Sequence, residues 1–83
     1  MAGLTINELT LEGIINSNGE FIGLFRGPDN RPYQLKVGTQ VYDGEVIRID
    51  INTVTFRQSV LVPTGTRERT IKKNINPEEE KIK

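Results

Sequence analysis

Frequent punctuation is the feature that most constrains this sequence. Asn18-Gly19, Gly27-Pro28-Asp29-Asn30, Gly38, Asp43-Gly44, Ile51-Asn52-Thr53 and Val62-Pro63-Thr64-Gly65 interrupt the chain at short intervals. Asn-Gly and Asp-Gly tolerate positive φ and favour tight hairpins, and Pro28 presets the φ that a turn needs. The runs between these signals are β-branched: Ile, Val and Thr number 10, 6 and 8 of 83 residues, against one Ala. Branching at Cβ suits a pleated surface, whereas Ala is the best helix former. Such runs at regular turn spacing predict an all-β fold, a sandwich or a partly open barrel. Of these, a small β-sandwich of about seven short antiparallel strands is the expected architecture.

Side-chain alternation places the strands. Leu9, Leu11, Gly13 and Ile15 share one face of a first strand, with Thr10 and Glu12 on the other. Glu20–Arg26 is apolar on both faces and is expected to be central. Tyr33, Leu35 and Val37 alternate with Gln34 and Lys36, and Gly38 ends that run. Val41-Tyr42, Val46–Ile51, Val54–Ser59 and Arg67–Lys73 complete the set. The predicted core is Leu9, Leu11, Leu35, Val37, Val46, Ile49, Val54 and Phe56. Residues 1–8 are expected to be a partly mobile lead-in, ambiguous between strand and short turn over Leu4–Glu8. Residues 9–73 form the domain. The polar stretch 74–83 is expected to be disordered or to make a short helical turn. Met1-Ala2-Gly3 reads as a start added at cloning or a mobile end, which would make this chain a fragment of something longer.

Composition removes most chemistry. Without His or Cys there is no imidazole or thiol catalysis, no zinc site of the usual kind and no disulfide. Asp43, Glu45, Asp29 and Glu20 flank turns, where turn formation and solvation explain them. Ser and Thr hydroxyls have no neighbouring base, and the glycines lie between strands rather than before a helix. The chain is therefore expected not to be an enzyme and to need no cofactor or metal. No apolar run approaches the roughly 20 residues of a membrane span, so direct membrane insertion of this domain is not expected.

Charge is zero overall but uneven. Residues 57–73 carry five basic groups against one acidic, net +4, and residues 1–56 are net −3. A small β-barrel that binds RNA or DNA would use exposed aromatics beside such a basic strip. Yet Arg57, Arg67, Arg69, Lys72 and Lys73 have no aromatic among them, and charged residues on an edge strand also oppose unwanted pairing. Nucleic acid is not the expected partner. Protein recognition is the better reading, because an open sandwich has edges that can take up a partner's strand. If alternation in the first hairpin is strict, Ile14 and Ile22 point away from the core. The expected contact set is Leu11, Ile14, Ile15, Phe21 and Ile22. The alternative set is the basic group Arg57, Arg67, Arg69 and Lys72.

The order of these pieces resembles a known family. Leu9-Thr-Leu-Glu-Gly13-Ile-Ile is similar to the L-x-L-x-G opening strand of the periplasmic domain of PilP, an inner-membrane lipoprotein of type IV pilus assembly. Phe21-Ile-Gly-Leu-Phe-Arg-Gly-Pro-Asp-Asn30 resembles its second strand and turn, and Tyr33-Gln-Leu-Lys-Val-Gly38 its Y-x-L/V-x-x-G. Gly44-Glu-Val46-Ile-Arg-Ile49 resembles its G-x-V-x-x-I. Val54-Thr-Phe56 and Arg67-Glu-Arg-Thr-Ile-Lys-Lys73 resemble its closing strands. The likeness covers about residues 9–73, and the homology region of the type II secretion C protein shares much of it. Thr39 departs from the acidic residue common in the family's G-D turn. The family's signal peptide, lipidated Cys and long linker are not in this sequence, which fits an excised domain. The resemblance implies a non-catalytic β-sandwich in the periplasm, tethered to the inner membrane in the full-length protein. Its partner would be the N-terminal periplasmic domain of a secretin (PilQ-like). A PilN–PilO-like inner-membrane complex would dock on a segment outside this chain.

Overall fold

The computed structural model describes residues 4–75. After a 3-10 turn at Ile6–Glu8 come seven strands: β1 (Thr10–Ser17), β2 (Glu20–Arg26), β3 (Pro32–Leu35), β4 (Gln40–Val41), β5 (Gly44–Ile49), β6 (Thr53–Val62) and β7 (Gly65–Asn74). They form two antiparallel sheets in sequence order, β1-β2-β3 and β4-β5-β6-β7. Each turn signal in the sequence thus connects hydrogen-bonded neighbours or ends a sheet. At the β1–β2 turn, Asn18 and Gly19 both take positive φ, 55° and 81°. Both signs suit a turn whose twist matches that of the strands. Gly44 meets a different demand. A Cβ there would collide with the Arg57 carbonyl of the adjacent strand, so β5 can lie against β6 only with no side chain at this position.

The two sheets share one apolar core of Ile6, Leu9, Leu11, Phe25, Leu35, Val41, Val46, Ile49, Val54 and Phe56. Phe25 of the first sheet and Phe56 of the second meet edge to face, with ring centroids 5.8 Å apart and planes at 71°. That geometry sets the positive ring edge against the negative ring face. Seven of the eight expected core residues are buried. Val37 is the exception, at 56% exposed. The third strand ends at Leu35 instead of continuing to Val37. Lys36–Thr39 is a turn, in which the Thr39 N–H donates to the Lys36 carbonyl at 2.9 Å and the Lys36 N–H to Thr39 Oγ1 at 3.0 Å. Gly38 has φ +96° there, which carries Val37 out of the pleat.

The lead-in also differs from expectation. Ile6 is fully buried, its N–H donates to Asp43 Oδ1 at 3.0 Å, and the Tyr42 N–H donates to the Leu4 carbonyl at 2.7 Å. The packed unit therefore begins by Leu4, because one apolar side chain in the 3-10 turn closes an end of the core. Asn74 completes β7, and Ile75 packs against the core with its N–H on the Asn52 carbonyl. Expectations for residues 1–3 and 76–83 lie outside the described residues.

Candidate partner-binding edges

Four strands border the two sheets: β1 and β3 in one, β4 and β7 in the other. β3 has four residues and starts with Pro32, and β4 has two. Neither offers a partner a useful ladder. β1, with eight residues, and β7, with ten, do. Peptide strands add to such edges through main-chain hydrogen bonds, and the side chains beside the edge select the partner.

The side chains at β1 are arranged by a bulge. Leu11 pairs with Phe25, but the next pair is Gly13 with Leu24, leaving Glu12 extra. An extra residue reverses the alternation downstream. Gly23 lies inward, since a Cβ there would meet Phe25 and Val54, and it pairs with Ile14. Ile14 therefore faces the core and packs against it. Ile15, 44% exposed, faces outward directly opposite Ile22, with Leu24 next on the same face. Side chains directly opposite across antiparallel strands have Cβ atoms about 5 Å apart. Glu12 turns to solvent and accepts a 2.8 Å hydrogen bond from Arg26 Nε.

The expected contact set is thus divided. Leu11 is buried, and Ile14 and Phe21 pack against the core, so these three are structural. Ile15 and Ile22 come together on the outer face. Leu24, outside the expected contact set, joins them. The slip at Glu12 is the physical reason: strict alternation assigns Ile14 and Ile15 to the wrong faces.

The alternative basic set is also split. Arg57 on β6 is in a 2.6 Å ion pair with Glu45. Arg67 and Arg69 share one face of β7, opposite Val60 and Gln58, while Lys72 occupies the other face opposite Thr55. Arg69 Nε donates to Gln58 Oε1 at 2.7 Å, and Gln58 Nε2 donates to Asp43 Oδ2 at 2.7 Å. The same carboxylate receives the Ile6 N–H, so a polar relay ties β7 to the lead-in turn. Gln58, 4% exposed, is buried with both its amide oxygen and its amide nitrogen hydrogen-bonded, as burial of an amide requires.

β1 and β7 approach at one end of the sandwich, where a groove of about 350 Å³ is lined by Leu9, Leu11, Lys72, Lys73 and Asn74. Lys73 Nζ donates to the Leu9 carbonyl at 2.9 Å, and burial pushes its pKa down. The Ser59 N–H donates to the Asp43 carbonyl at 2.8 Å, and beyond it β6 pairs with β7 alone, so Val60–Arg67 continues as a two-stranded arm. Leu61 on this arm is 88% exposed. The arm lies beyond the strands expected from the sequence, which end at Ser59 and resume at Arg67. Its signal was present as β-branched, turn-free chain on both sides of Pro63-Thr64, longer than the runs around it.

Among the described residues, no helix is long and apolar enough to cross a membrane, and no three His, Cys, Asp or Glu residues group to hold a metal ion. No protein-family model matches the chain, and no curated protein sequence matches it.

Proposed function

We propose that this domain is a non-enzymatic periplasmic adaptor of a type IV pilus assembly machine. In the full-length protein it would be tethered to the inner membrane and would join the inner-membrane platform to the outer-membrane secretin by protein–protein binding. The observation that carries this reading is the free β1 edge with the outward Ile15–Ile22 pair beside it. An apolar pair next to unpaired main-chain groups suits addition of a partner's strand better than it suits water. The ordered likeness to the PilP periplasmic domain supplies the partner: a secretin's N-terminal periplasmic domain. The related type II secretion C protein implies a secretin partner by the same chemistry, so the choice between the two machines rests on which secretin binds.

One edge and a few apolar side chains make a small interface, with a dissociation constant expected on the order of micromolar. Calorimetry against secretin periplasmic domains from pilus and type II systems tests the reading. Ile15→Asp and Ile22→Asp should each weaken binding at least about tenfold, because a carboxylate would be desolvated at the contact. Circular dichroism should show the fold intact. Binding unaffected by both substitutions would overturn the β1 site, and no binding to either secretin would overturn the adaptor reading.

A further inference from the structure

The second long edge, β7, has a different chemistry and does not depend on the β1 reading. Among the described residues, no strand pairs with it from Gly65 to Asn74 on the side away from β6. Arg67, Arg69, Lys72 and Lys73 accompany a single acidic residue, Glu68, along it. The ion pairs among the described residues are Glu12–Arg26, Asp29–Arg31, Asp50–Arg48 and Glu45–Arg57, and none uses a β7 cation. Arg69 is held in place by Gln58, and among the described residues its guanidinium terminal nitrogens have no carboxylate in an ion pair. Lys73 is drawn into the seam beside β1, where a carbonyl oxygen is its hydrogen-bond partner.

We propose that the β7 edge binds an extended acidic segment of a protein partner, which adds to the four-stranded sheet as a fifth strand. Charge decides the occupant. A second copy of β7 would bring cations opposite cations, and like charges facing across strands are destabilising. The edge therefore rejects itself and admits a strand carrying Asp or Glu. Successive side chains on a strand alternate in face, so the partner's carboxylates can meet Arg67 and Arg69 on one face and Lys72 on the other. Nucleic acid fits less well. The aromatic rings Phe25 and Phe56 are buried in the core, and none lies on β6 beyond Phe56 or on β7, so stacked bases would have no platform along the edge.

The test uses the isolated chain and a synthetic peptide of about ten residues repeating Val-Val-Glu-Glu, which sets Glu on both faces of a strand and is long enough to span such an edge. A Val-Gln peptide of the same length and a thymidine oligonucleotide serve as comparisons. Binding is read by fluorescence anisotropy and by amide shifts in two-dimensional NMR. The Val-Glu peptide should bind at least about tenfold more tightly than the Val-Gln peptide and weaken several-fold as salt rises from roughly 50 to 500 mM. Amide shifts should run along Thr66–Lys72. The double substitution Arg67→Glu with Lys72→Glu should abolish binding, and neither side chain is in an ion pair among the described residues, so the fold should persist. Equal binding of the Gln peptide, shifts confined to β1, no binding at millimolar peptide, or tighter binding of the oligonucleotide would each overturn the proposal.

Discussion

Phe25 and Phe56 bridge the two sheets, so the cohesion of the sandwich is concentrated in one aromatic pair. Phe56→Ala should cost about 3–5 kcal/mol, because it removes a fully buried ring and leaves a cavity between sheets too small to collapse onto it. A thermal or denaturant melt with a loss under about 1 kcal/mol would contradict its place in the core. Ile14 and Ile15 give a sharper contrast. Ile14→Asp should unfold or strongly destabilise the domain, since it would push a carboxylate toward the core. Ile15→Asp should leave the melting temperature almost unchanged. Two carboxyls contribute to the acid response. The hydrogen bond from Arg26 holds Glu12 below its ordinary 4.5, and the Tyr33 hydroxyl holds Asp29 below its ordinary 3.8. Both bind protons less readily in the folded chain, so their stabilisation is complete above those ordinary values and drains as pH falls through the lower folded ones. Melting temperature should fall below about pH 4, and Glu12→Gln with Asp29→Asn should make that fall shallower.

At the scale of elements, the hairpins were legible and the bulge was not. Asn18-Gly19 and Pro63-Thr64-Gly65 mark real turns because positive φ and fixed φ are local demands that a residue type answers locally, whereas Asp43-Gly44 marks one without positive φ, its glycine required by the Arg57 carbonyl of the next strand. The slip at Glu12 is set by the fit of β1 against β2 and the core. Gly13 beside it is its one local signal, since an isolated glycine in a strand often marks a bulge, and strict alternation overlooks it, so two of the five expected contacts, Ile14 and Ile15, exchanged faces. Val37 failed for a related reason: Lys36–Thr39 closes its own turn before alternation can continue. The arm beyond Ser59 makes few demands on the core. Leu61→Ser should therefore change stability by less than about 0.5 kcal/mol in a denaturant melt. A larger loss would mean that the arm supports the sandwich.

At the scale of the molecule, composition was enough to predict an all-β chain, because 24 β-branched residues and one Ala leave little else to form. It could not show which edges stay open. That depends on β3 and β4 being short, on β1 and β7 being long, and on how the two sheets close around Ile6 at one end. The result is a sandwich with two unlike edges, one flanked by isoleucines and one by cations, which meet at the Lys73–Leu9 seam. The β1 and β7 proposals together would give such a body two partners.

The most direct measurement is a two-dimensional NMR titration of this domain with the N-terminal periplasmic domain of a pilus secretin. The account predicts saturable shifts along Thr10–Ser17 and at Ile22 and Leu24, with the core amides of β5 and β6 unmoved. Shifts confined to β7, or no shifts at millimolar partner, would contradict it.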